Sequence, residues 1–397
     1  MAKSGFLVMD CDLHMMEPSW LFEKYLEDQY QDRAPVYVPK SQSPSGVPHW
    51  NVLGRPIPPW AVFEEVKAAQ TFLSDKTRDV YRDARRRGYD AVSHLNAMNI
   101  EGIDVAILFR SGAHMITSVD DLPGDYAIAL CRAFNNWLAD YRQEDPARLL
   151  GAGIITLHDP ELAAAEARRC IDDLGFVSVV LLPSPVNGRH LHAPECDVIW
   201  AELERLGVPI AFHGTSGSGA NDYVAKRFVG HPNFRTLNHA SSFPLEMMLG
   251  FGALAVGGVL ERFPGLKVAL LEANCGWLPW WLHRLDDQWK KYGGGESVRL
   301  SALPSEYFKR QCFISTDVDE ELLRVAIEEV GDDNIVVSTD YPHNDGAFPH
   351  AVEEFLELPG VSNESKRKIL WDNCVRLYGL ADKVRRFQTA TAAGTGT

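Results

Sequence analysis

An apolar run followed by an amphipathic helix that stops at glycine recurs along this chain. That alternation limits it to folds assembled from β/α units. Short apolar runs lie at Phe6–Met9, Val105–Phe109, Leu150–Leu157, Val177–Leu182, Pro209–Phe212, Val268–Leu271, Phe313–Ser315 and Ile335–Val337. Each is continuous rather than alternating, which predicts strands of a parallel sheet buried on both faces. Asp159-Pro160-Glu161 supplies an N-cap, a proline for the first turn and an early acid to a helix over Leu162–Leu174, and Gly175 closes it. Helices over Asp197–Leu206 and Glu320–Val330 likewise stop at Gly207 and Gly331. Eight such units in succession favour a closed (β/α)8 TIM barrel over an open doubly wound sheet. No Gly-x-Gly-x-x-Gly follows the first run, so a dinucleotide-binding sheet is set aside.

Two stretches break the rhythm. Residues 19–100, with the proline-rich Pro35–Pro59, and residues 214–243 are too long for simple β/α connections and are read as insertions that build a lid or pocket. One barrel unit over residues 1–388 is expected, and the small polar tail 389–397 is expected to be disordered. A formal net charge of −15 argues against nucleic acid or an anionic membrane as partner. The basic stretches at 85–87 and 366–368 are short, flanked by acids, and read as solvated helix faces. No apolar run approaches the roughly 18–20 residues that span a bilayer. The N-terminal run is too short for a signal-peptide core and is stopped by Asp10. Seven cysteines, scattered and without a C-x-x-C pair, read as reduced thiols of a cytoplasmic protein.

The chemistry-bearing residues sit where runs end. After the first run comes Asp10-Cys11-Asp12-Leu13-His14-Met15-Met16-Glu17, and strand alternation places Asp10, Asp12 and His14 on one face, towards a barrel interior. His213 ends the fifth run before a Gly-Ser-rich loop, and Asp340 ends the eighth within Ser338-Thr339-Asp340-Tyr341-Pro342-His343. Each alone has an ordinary explanation: a hydrogen-bonded loop pair, a rim histidine, a helix cap. Together on the C-terminal rim, two carboxylates and two imidazoles make a site for one divalent metal, with Zn²⁺ the first expectation and Mn²⁺ the second.

With Asp-x-Asp-x-His-x-x-Glu at 10–17, the strand-five His, Glu-Arg-Phe-Pro-Gly-Leu-Lys-Val at 261–268, Gly-Trp-Leu-Pro at 276–279 and Ser-Thr-Asp-Tyr-Pro-His at 338–343, the chain resembles the amidohydrolase-related enzymes. More narrowly, it is similar to the branch holding aminocarboxymuconate-semialdehyde, γ-resorcylate and carboxyvanillate decarboxylases. Asn135-x-Trp137, Pro146-x-Arg148-Leu149 and Asn373-x-x-Arg376-Leu377-Tyr378 fit as well, so the resemblance spans about residues 5–380. It implies Asp12, His14 and His213 as metal ligands, and Asp340 as both ligand and proton-handling carboxylate. Many members carry a histidine after strand six, and this chain has Glu272 there instead. Glu272 is either a further ligand, base or orienting group, or a structural acid capping the next helix. His239, at the end of the second insertion, either replaces the missing imidazole or stands beside a helix cap. Arg110, His114, Arg189 and His190 are candidates for holding a substrate carboxylate or phenol, since arginine suits a bidentate carboxylate clamp.

Two chemistries fit this ligand set. One is non-oxidative decarboxylation of a small aromatic or unsaturated carboxylic acid. The other is hydrolysis of an amide, ester or lactone by metal-activated water. A metal-free barrel that only binds is a third reading. The resemblance favours decarboxylation, and it also implies a homo-oligomer, with the Trp277–Trp281 face as candidate dimer interface.

Overall fold

The computed structural model describes residues 3–39, 41–43, 49–57, 79–214, 224, 227, 234–343, 346–385 and 387, with only the backbone of residues 114, 115, 234 and 235 described. The tail expected to be disordered at 389–397 lies outside the described residues, as does most of the first part of the 214–243 stretch.

Its strands in chain order are β1 (Met9–Met15), β2 (Val36–Val38), β3 (His49–Val52), β4 (Arg55–Ile57), β5 (Val105–Arg110), β6 (Leu149–Ile154), β7 (Ser178–Leu181), β8 (Ile210–His213), β9 (Val268–Leu271), β10 (Cys312–Asp317) and β11 (Ile335–Ser338). Eight of them form one sheet in the order β1-β5-β6-β7-β8-β9-β10-β11. Every neighbouring pair in it is parallel. β11 returns beside β1, where His14 N donates to Tyr341 O at 2.8 Å and Ser338 Oγ to Asp12 O at 3.3 Å. The sheet thus curls into the nearly closed (β/α)8 barrel that the apolar runs predict. β2, β3 and β4 form a small antiparallel sheet within the first long interruption.

The barrel strands are buried along almost their whole length because helices cover the outside while side chains fill the inside. Helix Pro160–Asp172 begins as its sequence dictates: Asp159 accepts from Leu162 N at 3.1 Å, with Pro160 behind it. Gly207 takes φ 70°, a left-handed value that glycine adopts at little cost, and there helix Asp197–Leu206 turns into β8.

Two local expectations are corrected. The first strand is Met9–Met15, not Phe6–Met9; Phe6 forms an isolated bridge to Lys3. Its polar residues hid the strand from an apolar pattern because they serve the site rather than the core. The helix after β8 starts at Phe234, so His239 lies within helix Phe234–Val256 and not before it.

Candidate metal centre

The donor atoms of Asp12, His14, His213 and Glu272 lie within 4.8 Å of one another at the C-terminal ends of β1, β8 and β9. His213 Nε2 lies 3.1 Å from His14 Nε2, 3.3 Å from Asp12 Oδ2 and 2.5 Å from Glu272 Oε2. His14 Nε2 is 3.5 Å from Asp12 Oδ1, 3.6 Å from Glu272 Oε2 and 3.4 Å from Asp340 Oδ1. Both Asp12 oxygens and Glu272 Oε2 are buried without a hydrogen-bond partner. Leaving three acceptor oxygens in that state is costly, and a cation among them would satisfy them together. Two imidazoles and two carboxylates converging on one point are a donor set that fits Zn²⁺ or Mn²⁺.

The electrostatics agree with a cation site. Burial and the Arg110 charge push His213 down, but Asp12 and Glu272 more than offset them and lift it to about 9. Burial, with His343 nearby, pushes His14 down to about 4. Burial alone would raise Glu272, yet the two imidazoles hold it well below its ordinary range. So Glu272 is held in its charged form, which favours a positive partner.

Backbone geometry aims these groups. Glu272 and Asp340 adopt φ 51° and 56°, values uncommon outside glycine and concentrated at functional sites. The β1 register slips between Asp10 and Leu13: Asp10 pairs with Ala106, and Leu13 with Leu108. This bulge corrects the simple alternation. Asp12 and His14 meet in the cluster, while Asp10 turns away to accept from Thr339 Oγ1, Thr339 N and Asp12 N. Burial, opposed by the bond from Thr339, raises Asp10 to about 7.

Glu272 faces the imidazoles and does not cap the following helix. The amides of that turn, Cys275 N and Gly276 N, donate instead to Glu320 at 2.9 and 2.7 Å. Asp340 Oδ1 is held by His343 Nδ1 at 2.7 Å, and the His343 ring packs against His14 with centroids 4.1 Å apart. His343 Nε2 in turn meets Ser111 Oγ at 3.1 Å.

A cavity of about 210 Å³ opens over the cluster and is lined by His239, Phe243, Glu272, Asp317 and Asp340 among others. The structure thus brings His239 and Glu272 together with Asp340. Arg110 sits elsewhere than a substrate clamp would. It is buried behind His213, with Nη1 2.8 Å from His213 Nδ1 and Nη2 donating to His213 O at 2.9 Å. Arg189 donates to the carbonyls of Leu157 and His158, and His190 is exposed with its ring centroid 5.4 Å from that of His192. None of these three lines the cavity. The side chain of His114 lies outside the described residues.

Three supporting residues received no role in the sequence reading. Glu17 accepts from the amides of Ser111, Gly112 and Ala113, fixing the loop after β5. His343 was visible in its motif but received no role there. Asp317 ends β10, and burial together with Glu320 and Glu272 raises it to about 7. Its position at a barrel strand's C-terminal end was the available signal.

A family model described as amidohydrolase matches residues 9–380. The chain is 25% identical over 308 residues to the 2-amino-3-carboxymuconate-6-semialdehyde decarboxylase of Dictyostelium discoideum, covering 76% of this chain and 79% of that protein. It is 27% identical over 331 residues to a gamma-resorcylate decarboxylase of a Polaromonas species, covering 81% and 96%. Among solved structures, a dihydroxybenzoic acid decarboxylase of Polaromonas with bound manganese and 2-nitroresorcinol superposes with a TM-score of 0.62 at 24% identity, over 80% of this chain and 93% of that one.

Proposed function

The chain belongs to the amidohydrolase family, and on that premise we propose that it is a metal-dependent, non-oxidative decarboxylase of a small aromatic or unsaturated carboxylic acid. The observation that carries this reading is the convergence of Asp12, His14, His213 and Glu272 beneath a cavity walled by Asp340 and His239. Relatives named as decarboxylases tip the choice away from hydrolysis.

Asp12, His14 and His213 would hold the metal, with Glu272 or Asp340 completing the set. Manganese in a structural neighbour brings Mn²⁺ level with Zn²⁺ as the candidate ion. When bound, a divalent cation supplies the positive charge that gathers a carboxylate and a neighbouring oxygen of the substrate. Asp340 delivers a proton to the ring carbon that bears the carboxylate. The C–C bond then breaks, its electron pair restores the unsaturated system, and CO₂ leaves. His343, bonded to Asp340 Oδ1, holds that carboxyl in place and is the group from which its proton is restored. His239 faces the same space and serves as a second proton-handling or orienting group.

Arg110 orients His213 through its side chain and carbonyl, a role that replaces the substrate contact expected of it. We read the protein as a cytoplasmic enzyme. All seven cysteines are free and buried, and among the described residues no helix is long and apolar enough to cross a membrane. A dimer through the exposed Trp280 face is the assembly we favour, and light scattering of Trp280→Glu against the parent would show a halved mass.

The decisive experiment offers hydroxybenzoates beside aryl amides and esters to the Zn²⁺- and Mn²⁺-loaded protein. We expect CO₂ release from at least one carboxylate. Turnover of an ester or amide with no CO₂ from any acid overturns the reading.

A further inference from the structure

Not every acid in the cavity belongs to the cation cluster. Glu272 and Asp340 point to it, but Asp317 and Asp319 line the same space without joining it. Asp317 stands at the C-terminal end of β10, and Asn274 Nδ2 donates to its Oδ2 at 2.7 Å. Asn274 is itself fixed by a left-handed backbone, φ 57°, in the turn after β9. Among the described residues nothing donates to Asp317 Oδ1, so this wall of the cavity offers an acceptor oxygen beside a clamped amide. On another wall the rings of His239 and Phe243, 4.7 Å apart and tilted by 38°, provide aromatic surface against which a substrate ring can lie.

We propose that Asp317, positioned by Asn274, determines specificity. It accepts a hydrogen bond from a hydroxyl or amino group on the side of an aromatic monocarboxylate remote from the carboxylate held at the cation cluster. The inference rests on the decarboxylase reading and narrows its substrate class. A second carboxylate at that remote position would lie beside Asp317 and Asp319 in a partly desolvated cavity, where like charges repel and select against it. A protic substituent instead exchanges a hydrogen bond to water for one to a carboxylate, which is stronger than a neutral pair.

Four acids that differ only at the position para to the carboxylate test this: 2-hydroxybenzoate, 2,4-dihydroxybenzoate, 4-amino-2-hydroxybenzoate and 2-hydroxyterephthalate. Dissociation constants by calorimetry and kcat/KM by CO₂ release are measured at pH 8, where Asp317 is ionised, on the metal-loaded protein, Asp317→Ala and Asp317→Asn, with metal content checked in each. The wild type should favour the hydroxy and amino acids over 2-hydroxybenzoate by about ten-fold in both readouts, as one charge-assisted hydrogen bond would give. It should also disfavour the terephthalate by a similar factor. Asp317→Ala should erase the preference, and Asp317→Asn, which removes the charge but keeps the shape, should recover terephthalate binding. Equal affinities across the series in the wild type, an unaltered preference in Asp317→Ala at full metal content, or binding of none of the four overturns the proposal. Turnover without discrimination sinks the role of Asp317 and leaves the decarboxylase reading standing. Discrimination in binding without any turnover does the reverse.

Discussion

Asp340 has a left-handed backbone, one oxygen fixed on His343, and a place both beside His14 and on the cavity wall. A group that only ligated a cation would not need to face the substrate space. Asp340→Asn preserves the shape and a weak ligand atom but carries no transferable proton. It should lower kcat by about 10²–10⁴, the usual worth of a general acid, while retaining most of the bound metal. Asp317 leads to a pH-dependent effect of opposite character. Its carboxyl is raised to about 7 from 3.8, so between those values the native state binds a proton that the unfolded state has released. Its contribution to stability is therefore complete below about pH 4 and lost as pH rises through 7. In metal-free protein, Asp317→Asn should raise the melting temperature relative to wild type at pH 8, and the gain should fade towards pH 4. A constant difference across that range would show that Asp317 is charged throughout. Sequence order made Asp12, His14, His213 and Asp340 candidates, because four individually ordinary residues all followed or ended apolar runs. It could not decide Glu272, since a helix cap and a ligand look alike until Glu320 is seen on the turn's amides. It misplaced Arg110 because an arginine at a strand end looks the same whether it meets substrate or the back of a histidine.

At the scale of elements, the apolar runs located the strands well where they pack only against neighbours, as at β9, observed as Val268–Leu271. They failed at β1. There a fully buried strand carries two aspartates and a histidine, and a bulge redirects one of them. Periodicity reports burial in apolar surroundings, and a strand whose inward groups face a cation site has none to report. The helix that holds His239 begins sooner than its composition suggests, which moves that imidazole from a loop onto a regular scaffold. β6 has a stricter constraint that no pattern reveals. A Cβ on Gly153 would come within 2.6 Å of Cys170 Sγ and 3.1 Å of the Phe176 ring. Helix Pro160–Asp172, which carries Cys170, lies that close to the barrel only because the strand offers no side chain there. Gly153→Ala should cost about 1–3 kcal/mol, the range found for overpacked cores, read as a lower denaturant midpoint with an unchanged slope. Unaltered stability would mean that Phe176 and Cys170 can retreat, and that the glycine is not required by packing.

For the whole molecule, the barrel closes where its chemistry is. β1 and β11 meet through His14 N on Tyr341 O, Ser338 Oγ on Asp12 O, and Thr339 on the Asp10 carboxylate. The seam between the first and last strands therefore adjoins Asp12 and His14, two of the residues proposed to hold the cation. Without a bound cation, two buried carboxylates lie beside imidazoles, His213 lifted to about 9 and His14 depressed to about 4. A cation bound there should stabilise the ring as well as furnish the chemistry, because it binds the native arrangement and has no equivalent site in the unfolded chain. At a hundred times its dissociation constant a ligand contributes about 2.7 kcal/mol. Chelation should therefore lower the melting temperature by several degrees, and Mn²⁺ or Zn²⁺ should restore it. A protein carrying both His14→Ala and His213→Ala should hold no stoichiometric metal and should melt at one temperature with or without chelator. If instead the doubly substituted protein still responded to chelation, the stabilising ion would be held elsewhere. The closure of the barrel would then rest on the hydrogen bonds of its seam alone.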